Sequence, residues 1–155
     1  MKRSRHQARI AALQGLYQLD VQRAPVGIDV DAVMTEILLE SGLGGEGVTY
    51  AKQLVVGTWG QRERFDQMIA GVSAHWDISR MAVVDRNILR LALYELIAQP
   101  NVPLRVVFDE AIELGKEFGE ASTPQFVNGV LDAIRRQDPA CRAARGESDR
   151  RDDEK

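Results

Sequence analysis

Only one run of this chain, Val102 to Phe108, is rich in β-branched residues, and no second run of that kind exists to pair with it. A lone strand leaves its backbone N–H and C=O groups unsatisfied, so the chain must fold through helices. Elsewhere apolar residues recur at the three- and four-residue spacing of an amphipathic helix. Such a pattern runs from about Ser4 to Gln22, with Ala8, Ala12, Leu16 and Leu19 on one stripe and Ile10, Leu13 and Tyr17 on a second. Asp29 to Leu39 gives the next, with an aspartate at the end where the helix dipole favours negative charge. Gly42 to Gly47 predicts a flexible connection, and Val48 to about Ser73 a long helix broken near Gly57 or Gly60.

Ser79 to Ala98 is apolar around much of its circumference, which marks a central helix with a short turn of its own in front. Pro103 opens the next helix and Gly119 ends it. Asn128-Gly129 has the composition of a hairpin turn, yet Val127, Val130, Leu131 and Ile134 fall on one helical face, and Thr123-Pro124 supplies an N-cap followed by proline at the first helical position. A helix from Thr123 to Arg136 is therefore expected. Gly129 is then about 1 kcal/mol worse than alanine, which predicts a close approach by another group. Asp138-Pro139 is expected to stop regular structure. The expected architecture is all-α, a compact bundle of six or seven helices over residues 1–137, with a disordered charged tail over 138–155.

The formal net charge of −3 hides an asymmetry. Residues 1–23 hold Lys2, Arg3, Arg5, Arg9 and Arg23 against Asp20 alone, whereas residues 24–134 hold eight Lys and Arg against sixteen Asp and Glu. Nucleic-acid binding responds to a local patch and not to a whole-chain average. The single cysteine, Cys141, excludes a disulfide framework and a cysteine zinc site and fits a reducing compartment. No apolar run approaches the ~18 residues that a bilayer span needs, and no apolar segment follows the basic N-terminus. A cytoplasmic protein without membrane contact is expected.

No catalytic constellation assembles. His6 lies in the basic segment and His75 beside Trp76, so the two histidines share no helix face. Glu110, Glu113 and Glu117 lack the Glu-x-x-His partner of di-iron bundles, and Lys116 beside Glu113 suits a solvated charged face. Nucleophile-elbow, Walker and dinucleotide-binding glycine motifs are missing, which leaves a binding protein with no metal or cofactor. Arg5 and Arg9, four residues apart on a helix, with Lys2 and Arg3 on a mobile arm over residues 1–7, form a phosphate-reading surface. Phe126 or Phe118 can stack an unpaired base for about 1–3 kcal/mol, and Asn128 can hydrogen-bond a base edge. The structural alternatives, core-rim rings and an amide that fixes a neighbouring loop, stay open.

Four ordered blocks carry a resemblance. Arg5-x-x-x-Arg9-x-x-Ala12-Leu13-x-x-Leu16-Tyr17, Asp85-Arg86-x-Ile88-Leu89-Arg90-Leu91-Ala92-Leu93-Tyr94-Glu95-Leu96, Val102-Pro103 with Glu110-Ala111-Ile112-Glu113-Leu114-x-Lys116-x-Phe118-Gly119, and Phe126-Val127-Asn128-Gly129-Val130-Leu131-Asp132 together resemble the bacterial NusB antitermination family over roughly residues 3–136. The resemblance implies two small helical subdomains and no enzymatic activity. It implies binding to the boxA element of ribosomal RNA transcripts together with NusE, a small-subunit ribosomal protein, within an RNA polymerase antitermination complex. By position it implies an RNA surface of Lys2, Arg3, Arg5, Arg9, Tyr17, Arg90, Phe118, Phe126 and Asn128, and a NusE-facing surface at Val84 and Asp85. The arm is sparser than in relatives with consecutive arginines, which implies weaker or more partner-dependent RNA affinity. Two alternatives are a homodimeric helical interaction protein with its RNA surface covered, and a stand-alone domain related to RsmB-type RNA methyltransferases, although nothing here could hold S-adenosylmethionine.

Overall fold

Small side chains let the first helix sit close to its neighbours. Ala8, Ala11 and Ala12 are buried on α1 (Lys2–Val21) beside Leu13, Leu16 and Leu19, and α1 packs on α2 (Val30–Ser41) and α3 (Gly45–Gly60). The structure, a computed structural model, describes residues 2–25, 27–73 and 77–145, and the side chain of Lys2 lies outside that description. The chain divides into two compact units, Met1–Arg62 and Glu63–Lys155.

In the first unit Asp29 caps α2 by accepting the Ala32 amide at 3.3 Å, and Gly42 closes the helix in the left-handed region at φ 73°. The glycine-rich segment differs from expectation. Gly44 is the extended N-cap of α3 and Glu46 stands in its first turn, at the positive end of the dipole, so three of the six residues expected as a flexible connection are helical. The long pattern that follows breaks after Gly60, and α4 (Arg62–Val72) starts two residues later. Arg62 folds back over the break, its guanidinium 4.2 Å from the Trp59 ring centroid and donating to the Trp59 carbonyl at 2.9 Å. Helix α1 already begins at Lys2, so Arg3 stands on a helix where a mobile arm was expected.

In the second unit a 3-10 turn at Ile78–Arg80 precedes α5 (Val83–Ala98), against which α6 (Leu104–Phe118), α7 (Thr123–Gln137) and α8 (Pro139–Arg145) all pack. Every residue of α5 from Asn87 to Leu96 is buried. Residues 104–108 of the β-branched run lie in α6, and no strand occurs among the described residues. Asn128 and Gly129 are helical as the periodicity required. The predicted close approach at Gly129 is not there: it is exposed, and a Cβ built on it meets no atom within 4 Å.

The segment after Asp138 also corrects the expectation. The Asp138 carboxylate accepts the amides of Ala140 at 2.9 Å and Cys141 at 3.3 Å, with Pro139 as first helical residue, so a presumed stop is an N-cap. Cys141 is buried, and Arg145 donates to the backbone carbonyls of Leu96 at 2.9 Å, Glu95 at 3.1 Å and Val102. Residues 146–155 of the expected tail lie outside the described residues, as does His75.

Two stability measurements follow. Arg145→Met strands buried carbonyls at the end of α5 and should lower the unfolding free energy by about 2 kcal/mol, or roughly 4–8 °C in Tm; an unchanged Tm would mean that α8 is not part of the folded unit. Gly129→Ala should raise stability by up to about 1 kcal/mol, and a loss would reveal a neighbour that the open surroundings of Gly129 do not show.

Candidate nucleic-acid interface

On the first unit the basic residues divide by the face of α1 on which they lie. Arg5 and Arg9, one turn apart, both turn toward α3, where the Tyr50 ring centroid lies 3.9 Å from the Arg5 guanidinium and 5.7 Å from that of Arg9. The negative face of an aromatic ring attracts such cations. Arg5 remains exposed, whereas Arg9 is only 3% exposed. Arg9 was expected on the phosphate-reading surface, and its burial corrects that assignment. Arg3 is exposed on another face, together with Tyr17, which is 44% exposed. Fourteen residues apart, the two return to within about 40° of each other on a helix of 3.6 residues per turn. Arg3, Arg5 and Tyr17 are thus the cations and ring that α1 offers to a ligand.

On the second unit the candidate residues gather at the corner between α6 and α7. Phe118, the last residue of α6, is 39% exposed, and Phe126, in the first turns of α7, is half-buried. Asn128 and Gly129 are exposed on the same helix. The corner is tight because Gly115 lies in the last turn of α6 and Gly119 is its C-cap, one turn on. A Cβ on Gly115 would lie 3.2 Å from the backbone nitrogen of Pro124, and one on Gly119 would lie 2.5 Å from Thr123 Oγ1. The Thr123 hydroxyl does not cap its own helix; it accepts the Glu120 amide at 3.0 Å and donates to Asp85 Oδ1 at 2.8 Å. Asp85, expected as a partner-facing residue, is half-buried with Val84 at the start of α5 and is tied to α7.

Arg90 corrects the expected RNA surface. It is 6% exposed, its Nε and Nη2 each 2.7 Å from an oxygen of the Asp66 carboxylate, and its Nη1 donates to Asn87 Oδ1 at 3.1 Å. This bidentate pair is geometrically strong, and it directs the guanidinium inward between α4 and α5. Sequence reasoning missed Asp66 and Tyr50 because the partners of Arg90 and Arg5 lie 24 and 45 residues away along the chain. Thr123 was noticed as a capping residue, but its bond to Asp85, 38 residues away, left no local signal. Among the described residues, no helix is long and apolar enough to cross a membrane and no group of three His, Cys, Asp or Glu could hold a metal.

A model of the NusB family matches residues 6–136. The transcription antitermination protein NusB of Anaeromyxobacter sp. (strain Fw109-5) is 46% identical over 134 residues, which cover 86% of this chain and 91% of that protein. Its namesake from Desulforamulus reducens is 41% identical over 130 residues, covering 84% and 88%. Among solved structures, T. maritima NusB matches with a TM-score of 0.77 at 34% identity, covering 86% of this chain and 91% of that one. A chain from the crystal structure of antitermination factors NusB and NusE in complex with dsRNA matches with a TM-score of 0.75 at 32% identity, covering 88% and 98%. With its helices in this arrangement and identities of this size across most of its length, the chain belongs to the NusB family.

Proposed function

We propose that this protein is a transcription antitermination factor that binds boxA-type RNA of ribosomal RNA transcripts together with NusE, so that RNA polymerase reads through terminators. The observation that carries this reading is the likeness, over 88% of the chain, to a chain from the NusB–NusE–dsRNA structure. The protein acts by binding and not by catalysis, and a nascent transcript as ligand implies a cytoplasmic protein.

Arg3 and Arg5 supply phosphate contacts, and the flanking Lys2 adds to them. Tyr17, Phe118 and Phe126 offer rings on which bases stack, and Asn128 offers an amide to a base edge. The buried Arg9 and Arg90 act one step back: Arg9 shares the Tyr50 ring that steadies Arg5, and Arg90 joins α4 to α5. Val84 and Asp85 mark the NusE-facing end of α5.

The discriminating experiment is a titration of boxA RNA, scrambled single strand and duplex RNA, each with and without NusE. BoxA should bind tightest, most so with NusE present, and equal binding of boxA and scrambled strands with NusE present would end the sequence-reading part of the proposal. Arg3→Ala combined with Arg5→Ala should weaken all RNAs alike and reduce the slope of log K against log salt by about 1.4, the value for two single-strand phosphate contacts. Phe126→Leu keeps apolar bulk but removes the ring, so it should cost roughly tenfold on boxA and leave the salt slope unchanged.

A further inference from the structure

We infer that the hydroxyl of Thr123 is a positioning group that sets the register of the α6–α7 corner for RNA; the inference rests on the RNA-binding reading above. Thr123 is 1% exposed, and its oxygen serves as acceptor and donor at once, from the Glu120 amide at 3.0 Å and to Asp85 Oδ1 at 2.8 Å. One hydroxyl thereby joins the connection after α6, the start of α7 and the first turn of α5.

Apolar packing does not do this work. Leu114 on α6 and Val127 on α7 are buried, and the two helices pack together, but burial is non-directional and tolerates a small rotation of one helix on the other. The connecting residues Glu120, Ala121 and Ser122 are exposed and have little packing to define their path. A hydroxyl with one proton and directed lone pairs has narrow angular preferences. Gly119 bears on the same point, because a Cβ there would collide with Thr123 Oγ1 at 2.5 Å and displace the bond. Phe118 precedes this linkage by five residues and Phe126 follows it by three, so a rotation about the corner moves the two rings relative to each other.

Thr123→Val preserves shape and removes the hydroxyl. In titrations without NusE, which keep the partner-facing role of Asp85 out of the measurement, its affinity for boxA RNA should fall about five- to tenfold, the factor that one hydrogen bond is worth. Binding to scrambled RNA and the salt slope should stay within about twofold of the parent protein, and Thr123→Ser should restore boxA binding. Amide exchange of Glu120, measured without RNA, should speed up in Thr123→Val and not in Thr123→Ser. Equal loss on both RNAs, or no loss on either, overturns the inference. If Thr123→Val does not fold, Gly119→Ala provides the same test by pushing the oxygen off its partners, with the same outcomes deciding. A parent protein that fails to distinguish boxA from scrambled RNA even with NusE overturns the RNA reading itself and the inference with it, whereas parent discrimination that survives in Thr123→Val overturns the inference alone.

Discussion

A helix buried along ten consecutive residues must settle every polar group it carries against its own neighbours. This constraint organises the second unit. On α5 the Asn87 amide donates to the Val83 carbonyl at 2.8 Å, its oxygen accepts from Arg90, and the rest of the Arg90 guanidinium is taken by Asp66 of α4. At the other end, the carbonyls of Glu95 and Leu96 are taken by Arg145 of α8. A buried cation deprived of its partner costs several kcal/mol, so α4 and α8 are held where α5 needs them. The apolar circumference of α5 supplies most of the burial, while Asp66 of α4 and Arg145 of α8 fix its orientation.

The same division explains what the sequence revealed. Helical period was legible wherever one apolar face was enough, and it overrode the Asn128-Gly129 turn signal correctly because Val127, Leu131 and Ile134 are all buried. Residues 139–145 were misread although their N-cap, Asp138 followed by proline, has the same form as the Thr123-Pro124 signal that had been accepted one helix earlier. Seven residues with few large apolar side chains show no period, and the burial of Arg145 depends on carbonyls 43 to 50 residues away. The candidate site was partly legible. Arg3, Arg5, Tyr17 and Phe118 are exposed where family likeness suggested, but Arg9 and Arg90 are buried. Charge type can be read from sequence; whether a guanidinium faces water or a buried carboxylate is decided by a partner distant in the chain.

Two of the expected cations thus serve inside the fold, Arg9 beside the ring that holds Arg5 and Arg90 between α4 and α5. Arg5 keeps its head in water with its guanidinium against the Tyr50 face, so part of its rotamer freedom is already lost. A group restrained in advance gives up less entropy on binding than a free lysine on an arm would. Gly129 contributes differently. It leaves a stretch of bare backbone on the exposed side of α7, beside Asn128, at a cost in helix propensity that no contact among the described residues offsets.

The donor that closes the carbonyl end of α5 is made late. Its acceptors at residues 95, 96 and 102 are synthesised 43 to 50 residues before Arg145, a delay of about 2 to 10 seconds at ~5–20 residues per second. Until Arg145 is made, those carbonyls lack the donor that the folded protein gives them. Closure of the second unit therefore waits until α8 has been made.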